Sequence, residues 1–557
     1  MSCRPAAALR AALAVAAVAA CVSAPRPGGG PDAPRGAYAI AYRVAMPDPA
    51  SHLYEVALDV DGALGDTLRL ELPVWSPGRY ARMDFARNVQ GFAATRADGA
   101  ALAWSKAGGS SWRVATGGAR GVRVRYRVFA NTLSGTFSVL DTAHANWNGA
   151  GLFMYVDGHK PDPVRLTVAP PPGWAAVSGA SDSLGQTEFA FPNYDLLVDT
   201  PTEVAPRAAL MVDSFRVDGR MYRTVVHHNG GPGLSPAALA PVRARFVRQV
   251  QAIVERQNRV IAPPPLDRYT FLFNIGYAGG DGMEHLYSTQ IINARPWLPD
   301  TGVLIPGIST ASHEYFHTWN VKRVRPAALG PFDYTRSQHQ PSLWVAEGWT
   351  QYYGDMTVHR AGIKDRDWLY QVLGGRLRYV STSPGRRERS PRAASFDAPF
   401  FDGADAPMAT NEESTFVTYY YSGESRALAL DLMIRAATDG ARSLDDALRL
   451  LKRRTWDEAP AATYYLPGRG YTEADVERAV SDAYGRDLHP WFERHVGGTE
   501  DVPWDEILTL AGLRLTDAGV LAERPDATAA QRRVRDGWLA GAGAAPAGPV
   551  PAAAPAR

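Results

Sequence analysis

The chain has only two cysteines in 557 residues, Cys3 and Cys21, and none after position 21. Almost the whole protein is therefore closed to disulfides and thiolate metal sites, and any metal must be held by His, Asp or Glu. Net charge is also scarce: 59 Lys and Arg against 57 Asp and Glu leave +2, no electrostatic case for a nucleic-acid partner. No uncharged apolar run reaches the roughly 20 residues that a membrane-spanning helix needs. No internal repeat marks a solenoid. What remains is ordinary globular composition, 46% hydrophobic and 21% charged, over a length that suggests about three or four domains.

The cysteines belong to the N-terminus. Arg4 and Arg10 precede the uncharged run 11–22, the charged and apolar regions of an export signal. Val18-Ala19-Ala20-Cys21 resembles a bacterial lipobox, which makes Cys21 the expected lipidation site; the alternative is simple cleavage near Ala20 or Ala24. Residues 1–21 are thus expected to be a signal and 22–36, rich in Pro and Gly, a disordered tether. The expected location is outside the cytoplasm of a bacterium, periplasmic or membrane-anchored through Cys21 alone. Residues 541–557 are nearly all Ala, Pro and Gly and are expected to form a disordered tail.

Across residues 37–206 the hydrophobic period is two. Val122, Val124, Tyr126 and Val128 alternate with Arg123, Arg125 and Arg127, and turn signals such as Asp61-Gly62, Asp98-Gly99 and Gly117-Gly118 separate such runs. This predicts an antiparallel β domain resembling a sandwich, with the arginine row as a solvated strand face. From Ser235, an N-cap followed by Pro236, the period becomes helical: Val242, Phe246, Val250, Ile253 and Val254 predict a helix of roughly 24 residues. Tyr269 to Ile275 reads as a buried strand, and the rest to about residue 500 as mostly helical, with a long loop over 381–399.

The chemistry concentrates in His313-Glu314-Tyr315-Phe316-His317. Spacing of i, i+4 puts both imidazoles on one helical face, where they can bind one zinc ion, and Glu314 is placed to take a proton without ligating the metal. With 12 His and 57 acids, chance predicts at most about 0.03 such HExxH matches. A third ligand is required. Glu347, on the apolar helical segment Leu343-Trp344-Val345-Ala346-Glu347-Gly348, is well placed, with Asp333 and Asp355 as alternatives. His227, His228, His339 and His359 match no ligand spacing.

The run 313–334, continuing to Trp344-Val345-Ala346-Glu347-Gly348, closely resembles the glycyl aminopeptidase family of gluzincins. Trp75-Ser76-Pro77-Gly78-Arg79-Tyr80 and Gly282-Met283-Glu284-His285 match that family as well, so the resemblance covers about residues 37–515. It implies an α+β multidomain architecture: an N-terminal β domain (37–206) followed by a thermolysin-like, mostly helical zinc-peptidase domain (207–500). The family usually continues into a PDZ domain; here 501–540 resembles only the lead into one. The resemblance further implies that Tyr420 stabilises the oxyanion, with Tyr419 as fallback because Ser422 stands where relatives have lysine. Glu284 takes the place of the amine-binding glutamate, beside Gly282, Met283 and His285 as substrate-binding neighbours.

The function expected is a zinc aminopeptidase with one Zn2+ per chain, metal ligands His313, His317 and Glu347, and Glu314 as general base. Peptides with small first residues, Gly or Ala, are the substrates that the resemblance implies. The alternatives are a zinc endopeptidase using the same site and an inactive envelope lipoprotein that binds a partner through its β domain.

Overall fold

The computed structural model describes residues 38–229, 236–298, 304–402, 410–459 and 463–541. The signal, tether and lipidation expectations, the cap at Ser235 and nearly all of the expected tail lie outside these residues.

Alternation builds the N-terminal part. In Gly121–Phe129 the side chains of Val122, Val124, Tyr126 and Val128 are buried and the intervening arginines point outward. This strand sits inside a six-stranded sheet with Ala39–Ala45, Leu53–Asp61, Val89–Arg96, Val164–Ala169 and Glu188–Phe191. Arg123 meets Asp59 of the neighbouring strand through two hydrogen bonds of 2.5 and 2.9 Å, as a solvated face does. Two four-stranded sheets complete this part. One pairing departs from the antiparallel expectation: Ala39–Ala45 runs parallel to Val164–Ala169. The long stretch of chain between them allows the crossover that a parallel pair requires.

The second part opens with a five-stranded sheet ordered Leu210–Val217, Arg220–His228, Arg268–Ile275, Ser288–Asn293 and Gly280–Glu284. Gly280–Glu284 is therefore an edge strand, antiparallel to Ser288–Asn293. The helix Pro236–Val260 lays Val242, Phe246, Val250, Ile253 and Val254 on this sheet, sharing one apolar cluster with Phe271, Phe273 and Tyr315. Helices dominate the remainder. The stretch read as a long loop instead holds the short helices Pro391–Phe396 and Ala398–Phe401. Its prolines sit at first-turn positions, where a missing N–H costs nothing and φ is already helical. Residues 501–540 form two helices flanking a hairpin of Leu513–Leu515 and Leu521–Glu523. The last helix buries Trp538, whose Nε1 donates to the Tyr352 hydroxyl at 2.8 Å. Among the described residues no helix is long and apolar enough to cross a membrane.

The two parts meet through buried polar groups. Glu203, from the β domain, accepts from Nδ1 of His144 (3.2 Å) and Nδ1 of His227 (3.0 Å) with one oxygen and from Asn146 (2.9 Å) with the other. His227 belongs to the second part, so this histidine is a seam residue. Burial raises the Glu203 carboxyl, but the two histidines outweigh it and hold it at about 2. Burial opposes charge on His144, yet Glu203, with help from Asp141, raises its pKa above the usual 6.5.

A pH window follows. Glu203 stabilises the fold above its ordinary value of 4.5 and loses that contribution as pH falls towards 2. His144 contributes fully below 6.5 and loses its contribution as pH rises through its elevated pKa. Urea midpoints should therefore be highest between these limits, and His144→Gln should cost most there and progressively less on the alkaline side. A cost independent of pH from 5 to 9 would exclude this linkage.

Candidate functional site

The HExxH helix, Ile308–Phe316, carries His313 and Glu314; His317 is its C-cap but keeps helical backbone angles, so the i, i+4 relation survives. The two Nε2 atoms stand 3.1 Å apart. Glu347 lies at the junction of Leu343–Ala346 and Gly348–Arg360, with Oε2 3.5 Å from His313 Nε2 and 3.3 Å from His317 Nε2. Tetrahedral zinc with bonds near 2.1 Å separates its ligand atoms by roughly 3.4 Å, so these three donors fit one zinc ion. His317 Nδ1 lies 2.8 Å from the Asn320 carbonyl, which leaves Nε2 for the metal. Neither alternative ligand joins a cluster of metal donors among the described residues: Asp355, farther along the same cleft wall, pairs with Arg376, and Asp333 with Arg336 and Thr335.

Close backbone contacts set this arrangement. At Gly354 a Cβ would stand 3.2 Å from the His313 Cα, so Gly348–Arg360 packs tightly under the HExxH helix. At Gly423 a Cβ would stand 2.1 Å from the Trp344 carbonyl oxygen. The helix Tyr419–Ala437 therefore crosses the Glu347 turn backbone to backbone, which brings Tyr420 to within 6.0 Å of His313, ring centre to ring centre. Tyr420 lines the cleft, whereas Tyr419 is buried behind it against Tyr80. Burial first, then the Glu347 charge, raises the Tyr420 phenol, so it remains a hydrogen-bond donor.

The cleft has a volume of about 500 Å³. Glu314 and Glu284 are both buried in its wall. Glu314 Oε1 faces Gly282, where a Cβ would come within 2.2 Å, and its Oε2 has no hydrogen-bond partner among the described residues. Burial lifts the Glu314 carboxyl; His317 opposes that, and Glu284 and Glu347 add to it. Glu284 ends the edge strand, within reach of Glu314 and His317.

Two residues expected to touch substrate, Met283 and His285, do not line the cleft. Met283 is fully buried, with its Sδ packed beside Gly78. His285 turns away to Asp199, Nδ1 to Oδ1 3.0 Å, beside Lys322, which donates to the same oxygen at 2.8 Å. It anchors the strand end that carries Glu284 instead of lining the cleft. Gly282 and Glu284 do line it. Sequence reading missed the Trp75-to-Tyr80 segment as a part of the site. Tyr80 donates to Glu347 Oε1 at 2.8 Å, Arg79 binds Asp281 at 2.5 Å, and Gly78 abuts Glu284. The Pro77-Gly78 turn followed by Arg and Tyr was the available signal.

Two family models match the chain: the Peptidase M61 N-terminal domain over residues 41–206 and M61 glycyl aminopeptidase over residues 307–425. Among solved structures, an aminopeptidase N family protein from Idiomarina loihiensis is 26% identical with a TM-score of 0.75, over 85% of this chain and 78% of its own. An M1 zinc metallopeptidase from Deinococcus radiodurans, solved as a variant bound to a Tyr-Ser-Ala substrate, is 14% identical with a TM-score of 0.49, over 84% and 95%. No curated protein matches the sequence.

The ligand geometry is checked by metal analysis after dialysis. Glu347→Gln should lose bound zinc, while Asp333→Asn and Asp355→Asn keep it. Retention by Glu347→Gln would remove Glu347 from the ligand set.

Proposed function

This chain belongs to the M61 glycyl aminopeptidase family and is a zinc aminopeptidase, and on that premise we propose that it releases small N-terminal residues from peptides, using one zinc ion held by His313, His317 and Glu347. The observation that carries the reading is the meeting of the three ligand atoms, all 3.1–3.5 Å apart, with Glu314 and Glu284 on the same cleft.

When bound, the metal supplies a Lewis acid that polarises the attacking water and the scissile carbonyl. Glu314 takes the water's proton at Oε2, the atom without a partner, and passes it to the leaving amine. Tyr420 donates from its phenol to the carbonyl oxygen as negative charge gathers there. Glu284 holds the substrate's α-ammonium, which fixes the distance from the N-terminus to the bond that breaks. Gly280 and Gly282, on an edge strand without bulky side chains, let the peptide backbone lie alongside. Beside Glu284, bounded by Gly78, Tyr80, Val321 and Phe332, lies a space of only about 20 Å³, room for one water-sized group. The match to a glycyl aminopeptidase model supports glycine or alanine as the first residue.

The N-terminal pattern supports export and anchoring through a lipid on Cys21. Cys21→Ser should then move the protein from the membrane fraction to the soluble periplasmic one with catalysis intact; unchanged fractionation rejects the anchor.

Catalysis is tested with aminoacyl amides and N-acetylated peptides. Glu314→Gln should keep zinc and lose about 100- to 10,000-fold in kcat. Glu284→Ala should keep zinc and lose about 2 to 4 kcal/mol of transition-state stabilisation on free-amine substrates. Acetylated peptides should resist the unmodified enzyme; if they are good substrates, the aminopeptidase reading gives way to an endopeptidase.

A further inference from the structure

Glu347 has two oxygens with different company. Oε2 faces both histidine Nε2 atoms, and Oε1 accepts a hydrogen bond of 2.8 Å from the hydroxyl of Tyr80, a residue 267 positions earlier in the chain. A carboxylate can ligate through either oxygen or both. Hydrogen bonds to the other ring nitrogen or oxygen of a ligand decide which atom is presented. His317 is held in this way by the Asn320 carbonyl, and Glu347 is held by Tyr80.

We infer that Tyr80 is a positioning residue of the metal centre: its phenol occupies Oε1 and commits Oε2 to the metal, so that the β domain completes a site whose ligands all lie in the other part of the chain. The inference rests on His313, His317 and Glu347 being the metal ligands.

The segment that delivers Tyr80 is clamped at every step. Trp75 Nε1 donates to the Asp333 carbonyl at 2.8 Å. Gly78 has φ of +89°, and a Cβ there would stand 2.1 Å from Met283 Sδ and 2.8 Å from Glu284 Oε2, so no other residue fits. Arg79 bridges Asp281 at 2.5 Å and Asp402 at 3.6 Å. The Tyr80 amide donates to Asp402 Oδ2 at 3.0 Å, and its ring packs edge-on against Tyr419 with 6.3 Å between centres. With the ring 1% exposed, solvent is kept from the hydroxyl. The phenol thus meets Glu347 with its conformational cost already met elsewhere, the condition under which one hydrogen bond orients a ligand well.

Tyr80→Phe removes one oxygen and keeps the ring. In the full chain, zinc affinity from chelator competition should fall about 10- to 100-fold. The visible spectrum of the cobalt-loaded protein should change too, because the carboxylate is then free to rotate and engage both oxygens. Tyr42→Phe is the control: it also deletes a buried β-domain hydroxyl, one that donates to the Met154 carbonyl at 2.7 Å, and should leave zinc affinity and the cobalt spectrum untouched. Should Tyr80→Phe be too unstable to purify without metal, the affinity is read from the zinc concentration that raises its Tm. Affinity within twofold of the unmodified protein, with an unchanged cobalt spectrum, overturns the inference. Retention of zinc by Glu347→Gln would instead overturn the ligand assignment beneath it.

Discussion

Three buried carboxylates, Glu284, Glu314 and Glu347, converge on two imidazoles, and no lysine or arginine among the described residues pairs with any of them. A buried carboxylate without a compensating charge costs several kcal/mol. The neighbouring acids of the cleft are neutralised within the chain, Asp281 by Arg79 and Asp355 by Arg376. The three glutamates, with only histidine as a possible cationic partner, are the ones the proposed function assigns to cations from outside: a dication between the histidines and Glu347, and an ammonium at Glu284. Much of the surrounding architecture serves to hold this negative pocket together. The glycine-mediated helix crossings pack closely at its back, and the edge strand lies along the cleft.

The β domain is part of the centre. Trp75 and Tyr80 reach the second half of the chain, and Asp199 gathers His285 and Lys322 onto one carboxylate oxygen beneath the edge strand. The Trp75 bond is partly buried and the other three are fully so, and leaving a buried partner unpaired costs about 1 to 3 kcal/mol. Separation of the two parts would break them together with the bond between Glu203 and His227. Metal geometry and domain packing therefore share the same bonds.

Some of this was legible in the sequence and some was not. Period-two alternation exposed Gly121–Phe129 as a half-buried strand because each residue's face depends on parity alone. The HExxH spacing exposed the ligand pair because a helix returns to the same face after four residues. Glu347 is favoured over Asp333 and Asp355 by its apolar flank, but its approach to the histidines depends on how two helices cross at Gly423 and Trp344, which no local pattern shows. His285 was misread for a related reason. Beside Glu284 it looked like part of the same wall, but the strand's alternation and the distant Asp199 turn it inward. Tyr80 was invisible as a metal-site residue because the contact that gives it a role spans 267 positions.

The bonds between the parts also impose an order on how the molecule can come into being. A chain made from its N-terminus has Asp199, Trp75 and Tyr80 at hand 123, 258 and 267 residues before the partners they bond. Until then those groups face water, and so does the aromatic surface that Trp75, Tyr155 and Tyr194 later bury against Phe332 and Tyr334. Glu347 in turn has no fixed orientation before Tyr80 has docked. Tight metal binding would thus come only with docking of the two parts, since without the Tyr80 bond the inferred affinity is about 10- to 100-fold weaker.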